Sequence, residues 1–362
     1  MKKLIIEKDK LINNINIIKR ITSSTIIAVL KGNGYGLGLL EFAQVLVENS
    51  IDFFAVSEIE EALALRNNGF KNKILLLAST SFEDEAETII RNNLIPTVGS
   101  LNSASAINEA AKREGTVVDI HLKIDTGFGR FGFLWNKADE FLSILKSMDN
   151  LNLAGTYSHL SFSFEKESVY TYMQFERFMK CVDKMKECNV SPGMLHIANS
   201  CAFLRYPAMH LDAVRIGSAF LGRLPMDNQH GLAKIGYLRS NIIETKELPK
   251  NHFVGYANTF KTKGATRIGI VPVGYMDGFG VEKAKDTFRL RDILRYMYND
   301  LKSLNKSLYI RLADKRKLMV LGRISMFNIV VDLTGTDAQI GDEVILEANP
   351  VLVDGRIKRE YV

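Results

Sequence analysis

The chain has 362 residues, of which 46% are hydrophobic and 24% charged, and its net charge is +6. Those values describe an ordinary folded protein too long for a single core, and they exclude a disordered chain. The basic excess is spread out, with clusters such as Lys315-Arg316-Lys317 balanced by acidic neighbours, so no nucleic-acid partner is expected, although a locally positive pocket for an anionic ligand is compatible.

The three cysteines, Cys181, Cys188 and Cys201, form no Cys-x-x-Cys pair. Neither a disulfide framework nor a zinc ribbon is expected, and no metal site. The opening Met1-Lys2-Lys3-Leu4-Ile5-Ile6-Glu7 is too short an apolar stretch for a signal peptide, and no uncharged apolar run approaches the roughly 20 residues of a membrane helix. The expectation is a soluble, cytoplasmic protein with no membrane partner.

In chain order, Leu11, Ile15 and Ile18 fall on one helix face and precede an apolar strand over 25–30. Lys31 ends that run and opens the turn Gly32-Asn33-Gly34-Tyr35-Gly36. Two readings stand. One is a structural lysine in a tight turn. The other is an amine at the carboxyl end of a buried strand, desolvated and lowered in pKa, suited to condensing with an aldehyde as a Schiff base.

Leu39, Ala43, Leu46 and Val47 mark a second helix before a strand over 53–56. Ser57 and Glu60 read as a capping box for a helix that Gly69 closes. Further strands are expected over 73–78, 94–98, 117–124, 153–158, 194–198 and 213–216, with amphipathic helices between them, such as 102–113 and 170–188. Eight βα units point to a TIM barrel, and the absence of G-x-G-x-x-G after the first strand disfavours a dinucleotide-binding open sheet.

A barrel gathers its chemistry at the carboxyl ends of its strands. There the sequence carries Lys31, the run Asp125-Thr126-Gly127-Phe128-Gly129-Arg130, Ser158-His159, Asn199-Ser200 and Arg215-Ile216-Gly217-Ser218. Singly, His159 could be a satisfied core histidine and Arg215 a salt-bridged one. Together, at five strand ends, they outline a site. From about residue 236 the pattern turns to strands, over 236–245, 267–273, 308–312, 318–321 and 327–331. One helix interrupts them, with Leu290, Ile293, Leu294, Met297, Leu301 and Leu304 on one face for packing or an interface. The expected domains are a barrel over 9–235 and a β-rich domain over 236–362 with 1–8.

The sequence resembles the alanine racemase family of pyridoxal-phosphate enzymes. Ala28-Val29-Leu30-Lys31-Gly32-Asn33-Gly34-Tyr35-Gly36-Leu37-Gly38 is similar to the segment around the family's cofactor lysine, and Lys123-Ile124-Asp125-Thr126-Gly127-Phe128-Gly129-Arg130-Phe131-Gly132 to its second motif. His196-Ile197-Ala198-Asn199-Ser200, Arg215-Ile216-Gly217, Gly255-Tyr256-Ala257, Gly274-Tyr275-Met276-Asp277-Gly278 and Gly322-Arg323-Ile324-Ser325-Met326 follow in the family's order.

The resemblance implies a TIM barrel followed by a β domain, pyridoxal 5'-phosphate as cofactor and a homodimer with shared active sites. Lys31 would hold the cofactor and act as base on one face of the substrate Cα. Tyr256, from the partner subunit, would be the base on the other. Since a free phenol titrates near 10, that role needs a positive network, to which His159 would belong. Arg215 would hydrogen-bond the pyridine nitrogen without protonating it fully, favouring reprotonation over transamination. Tyr35, Asn199, Ser200, the amides of Gly217 and Ser218, and Tyr275 would bind the cofactor, chiefly its phosphate. Arg130, positioned by Lys123, would face the substrate carboxylate, with Met326 alongside; in the family that lysine can be carbamylated.

Some positions depart from the family. Phe327 stands where an aspartate is usual and Gly355 where a tyrosine is usual, the stretch 281–305 reads as an insertion, and the end after Glu343 reads as short. Alanine is the expected substrate. Serine or another amino acid, a barrel-type decarboxylase and a cofactor-binding relative without turnover are the alternatives.

Overall fold

The computed structural model describes residues 2–362 and divides into two compact units, Lys8–Ile235 and Gly236–Val362 together with the residues up to Glu7. In the first unit eight parallel strands stand side by side: Thr25–Val29, Phe53–Val56, Lys73–Leu76, Thr97–Val98, Val118–Asp125, Leu151–Tyr157, Met194–His196 and Ala213–Ile216. The last pairs with the first, Ala213 opposite Thr25 and Ile216 opposite Ala28. Between the third and fourth, the amide of Leu76 donates to the carbonyl of Ile95 and the amide of Ile95 to that of Ile74, each at 2.9 Å. These are the strands expected of a TIM barrel.

Packing explains why these strands read as near-continuous apolar runs. Helices cover the outside and side chains fill the inside, so both faces are dry. Ile27, Val29, Phe53, Ala55, Leu75 and Ala213 form one core cluster. Outside, helix Lys8–Ile21 buries Leu11, Ile15 and Ile18 and, on the same face, Asn14. The Asn14 amide donates to the carbonyls of Phe220 and Ala233 at 2.8 Å each, and its oxygen accepts from the Ala233 amide, so the buried polar group is satisfied.

Local expectations are corrected at two points. The strand over 94–98 is regular only at Thr97–Val98, with a single bridge from Ile95 to Leu75 before it, because Pro96 between them has no amide to donate. The helix after the second strand runs Ile59–Asn67 with Glu58 at its N-cap and no side-chain cap, so Ser57 and Glu60 form no capping box. Glu61 acts there instead, accepting from the Ser57 amide at 3.4 Å and the Asn33 amide at 3.1 Å, which ties the loops after the first two strands together.

The second unit is built on a nine-stranded sheet. Strand Lys3–Ile6 lies within it, antiparallel to Tyr237–Asn241 and parallel to Arg359–Tyr361. The strand expected over 236–245 is two strands, Tyr237–Asn241 and Glu244–Leu248. Between them the Ile242 amide donates to Asp342 and that of Ile243 to Ile270, passing the chain from one ladder to another. The strand expected over 327–331 is Ile329–Asp332. Phe327 therefore sits in the preceding turn, 45% exposed, with the Lys2 ammonium 5.4 Å from its ring centre, rather than packed in a strand. Helix Leu290–Lys302 carries its apolar face exposed. Among the described residues no helix is long and apolar enough to cross a membrane.

Candidate active site

A cavity of about 570 Å³ opens at the carboxyl ends of the barrel strands. Its walls include Lys31, Tyr35, Lys123, Arg130, His159, Asn199, Ser200, Arg215, Gly217 and Ser218. Nine of the residues singled out from the sequence as site residues thus meet here, with Lys123. The other three, Tyr256, Tyr275 and Met326, belong to the β unit, and each is exposed there.

Lys31 follows Val29 and Leu30, both buried, but is itself exposed on the open side of a short helical turn, Lys31–Tyr35. The strand end is buried, as expected, and the amine is accessible rather than enclosed. Partial desolvation and then the nearby Arg130 cation hold it below the usual lysine range, against an opposing pull from Glu61. The turn is left-handed at Gly32, Asn33 and Gly34. Tyr35 also has a positive φ of 54°, and its ring lies where a Cβ on Gly217 would come within 2.6 Å, so only glycine opposite admits it. Burial pushes the Tyr35 phenol up to about 12, leaving it a hydrogen-bond donor at neutral pH.

Beside it, Asn199 caps helix Ser200–Arg205, its side-chain oxygen accepting from the Cys201 and Ala202 amides and from the Ser163 hydroxyl. Asn199 therefore shapes the wall through the helix it caps, and its oxygen is already committed. The Ser200 hydroxyl oxygen accepts from the Gly217 amide at 3.0 Å and the Ala219 amide at 3.3 Å, tying the loops after the seventh and eighth strands. For the Gly217 amide to serve a phosphate it must leave Ser200.

Arg215 is buried and, among the described residues, has no carboxylate partner. One terminal nitrogen donates to His196 Nδ1 at 2.7 Å and to the His196 carbonyl; the other donates to the Ser158 and Ile197 carbonyls. Burial lowers this guanidinium to about 10, still protonated at neutral pH. It lies 5.0 Å from the Tyr157 ring centre and 3.4 Å from His159 Nδ1. Burial first, then Arg215 and the neighbouring cations, hold His159 well below the usual imidazole range, so it is neutral. Lys123 is likewise held down to about 7, by burial and then by Arg215 and Arg130.

Arg130 is presented by a loop folded around Asp125, whose carboxylate accepts from the amides of Gly127, Phe128 and Gly129. Its guanidinium stacks on Phe128 at 4.6 Å and reaches Phe131 at 5.8 Å. Four cationic side chains, Lys31, Lys123, Arg130 and Arg215, thus line the cavity, against one carboxylate in its wall, Glu58; the Asp125 carboxylate is spent on its own loop. Such a site fits a ligand with two anionic ends. Sequence reasoning gave no role to Tyr157, although it lines this cavity and stacks on His196 at 4.7 Å. The two-residue spacing from Gly155 to Tyr157, the last residue of its strand, and on to His159 just beyond it was the signal.

The alanine racemase N-terminal domain matches residues 6–225 and the alanine racemase C-terminal domain residues 235–355. The chain belongs to the alanine racemase family. An alanine racemase of Clostridium tetani is 33% identical over 348 residues, which are 94% of this chain and 84% of that protein. One of Methanococcus maripaludis is 34% identical over 274 residues, 74% of this chain and 73% of that protein. Among solved structures, an alanine racemase of Clostridium difficile 630 aligns with a TM-score of 0.87 at 29% identity, covering 100% of this chain and 95% of that one. The alanine racemase of Streptomyces coelicolor, at 24% identity and a TM-score of 0.85, shares the fold. Within the alanine racemase family, a barrel mouth carrying a lysine after the first strand is therefore the place to look for the chemistry.

Proposed function

We infer that this alanine racemase interconverts L- and D-alanine with pyridoxal 5'-phosphate, using Lys31 and Tyr256 as its two bases. The observation that carries the reading is the cavity itself, in which an accessible, lowered amine faces a buried arginine without an acid partner. The donor set suits the cofactor. Tyr35, Ser200 and the loop at Gly217–Ser218 offer neutral donors for a phosphate, with Tyr275 as a further one from the β unit. Arg215 offers a cationic donor for a ring nitrogen, and Lys31 a free amine for an aldehyde.

When bound, the cofactor supplies an electron sink that acidifies the substrate Cα–H. The remaining work belongs to the protein. Arg130, stiffened between two phenyl rings, holds the substrate carboxylate and so fixes which faces of Cα are presented. Lys31, its amine held below the ordinary lysine range by partial desolvation and the Arg130 charge, moves a proton on one face. Tyr256 does so on the other, contributed by a second copy in a homodimer. Because His159 is neutral and turns Nδ1 toward Arg215, which only donates, its Nε2 carries the proton. Arg215 gives its ring partner a hydrogen bond rather than a transferable proton, which limits side reactions. Lys123 shares the Phe131 ring with Arg130, and an amine near 7 is partly neutral, the form that takes up CO2 as a carbamate.

The test is chiral analysis of products after purified protein with pyridoxal phosphate meets a panel of L-amino acids. D-alanine is expected to dominate, and Tyr256→Phe should lower the rate in at least one direction by about a hundredfold or more. Cofactor binding at Lys31 without conversion of any amino acid would sink the reading. A clear preference for serine or another amino acid would turn attention to Phe327 and Gly355.

A further inference from the structure

Behind Arg215 the barrel interior holds a chain of polar side chains that reaches away from the cavity. His196 Nδ1 lies 2.7 Å from an Arg215 terminal nitrogen, and His196 Nε2 lies 2.8 Å from His121 Nδ1. Both histidines are buried. The direction of each hydrogen bond follows from chemistry. A guanidinium has donors and no acceptor, so His196 Nδ1 must be bare. A neutral imidazole with a bare Nδ1 carries its proton on Nε2. That proton points at His121 Nδ1, which must therefore be bare as well, leaving the His121 proton on Nε2.

The backbone is shaped to hold this chain. His121 is the register partner of Gly155, across a one-residue irregularity that skips Ala154 between the pairs Ile120–Leu153 and His121–Gly155. A Cβ on Gly155 would come within 2.7–2.9 Å of three His121 ring atoms, so the histidine occupies the space that a glycine leaves. His196 is clamped by Tyr157, whose ring is parallel to within 6°. The Tyr157 hydroxyl lies 2.8 Å from the Thr97 hydroxyl, and that in turn donates to the Leu76 carbonyl at 2.6 Å. Rotation of the His196 ring is thereby opposed.

We propose that His121 is a positioning residue for the racemisation reaction: by accepting from His196 Nε2–H it locks His196 in the tautomer that accepts from Arg215, and so fixes the guanidinium beneath the cofactor site. Without that acceptor the Nε2–H tautomer of His196 would leave a buried donor unsatisfied, which drives the proton to Nδ1. There it would oppose an arginine N–H, donor against donor, and push Arg215 off its place. Burial and then the Arg215 charge keep His121 down at about 4 and His196 well below its usual range, consistent with two neutral rings. The proposal rests on the racemase reading for its consequence, while the tautomer itself can be measured without it.

Two variants test it. His121→Leu removes the acceptor, and His121→Asn restores one, an amide oxygen near the place of Nδ1. Imidazole 15N chemical shifts of the cofactor-free protein report the tautomer directly. His196 should show a protonated Nε2 and a bare Nδ1 in the wild type and in His121→Asn, and lose that pattern in His121→Leu. In the holoenzyme, His121→Leu should lower kcat about tenfold with little change in KM and alter the cofactor absorption spectrum, while His121→Asn recovers most of both. The proposal is overturned if His196 carries its proton on Nδ1 in the wild type, or if its tautomer is the same in His121→Leu. It is equally overturned if both variants lose activity alike, which would mean a space-filling role. Failure of the wild type itself to form D-alanine, with the tautomer as described, would strike the racemase reading and leave the lock standing.

Discussion

Lys123 is buried beside three other cations, Lys31, Arg130 and Arg215, and one carboxylate, Asp125, whose oxygens already serve backbone amides. Its amine falls to about 7 in the folded protein, against an ordinary value near 10.4 in an unfolded chain. Between those values the unfolded chain binds more protons, so stability climbs as pH rises through that window, and below about 7 the full cost of burying the charge is present. Lys123→Met should therefore raise Tm at pH 6 in CO2-free buffer, and by a smaller margin at pH 9. Scanning calorimetry of both proteins at the two pH values checks it, and a variant no more stable than wild type at pH 6 would contradict it. Bicarbonate should narrow the gap at neutral pH by replacing the cation with a carbamate.

The loop after the fifth barrel strand shows how an element turns sequence into geometry. Asp125 closes it by accepting three successive amides, and Gly132, at φ 116°, passes so close to the backbone of Lys123 and Asp125 that no Cβ would fit. Asp125→Ala frees those amides and should loosen Arg130, raising KM for alanine about tenfold while kcat changes about threefold or less. Asp125→Asn keeps an acceptor and loses only the charge, so it should lie much nearer wild type in KM; equal damage in the two would point to charge rather than loop closure. This element was legible in the sequence because its glycines and aspartate are contiguous. Most of the eight strands were legible too, since burial on both faces leaves near-continuous apolar runs; the fifth instead alternates Asp119, His121, Lys123 and Asp125 with Ile120, Leu122 and Ile124. What stayed hidden depends on register. The His121–Gly155 pairing follows from an irregularity at Ala154 that no local pattern announces. Glu61 rather than Glu60 serves the second loop because the partner amide, that of Asn33, comes from a segment distant in sequence. Phe327 read as a strand residue because its apolar neighbours continue the pattern, and the turn closed by the Ser325 amide on the Asn328 carbonyl ends it early.

At the scale of the whole molecule, the chain's beginning and end meet in one sheet, Lys3–Ile6 lying between Tyr237–Asn241 and Arg359–Tyr361, and the ion pairs of Lys3 and Arg239 with Glu360 lie across those strands. The barrel unit carries Lys31, and the β unit carries Tyr256, exposed on a short turn. If the two bases of one reaction come from different copies, subunits crippled in different bases can repair each other. Lys31→Ala and Tyr256→Phe each leave both sites of a homodimer lacking one base. In a heterodimer of the two, one site receives both lesions and the other receives none. Random co-assembly should then restore about a quarter of wild-type activity, and heterodimers isolated through two affinity tags about half. Were Tyr256 to act within its own chain, every site would keep one lesion and mixing would restore nothing. Activity assays on the tagged heterodimer decide between the two arrangements without any change to cofactor or substrate.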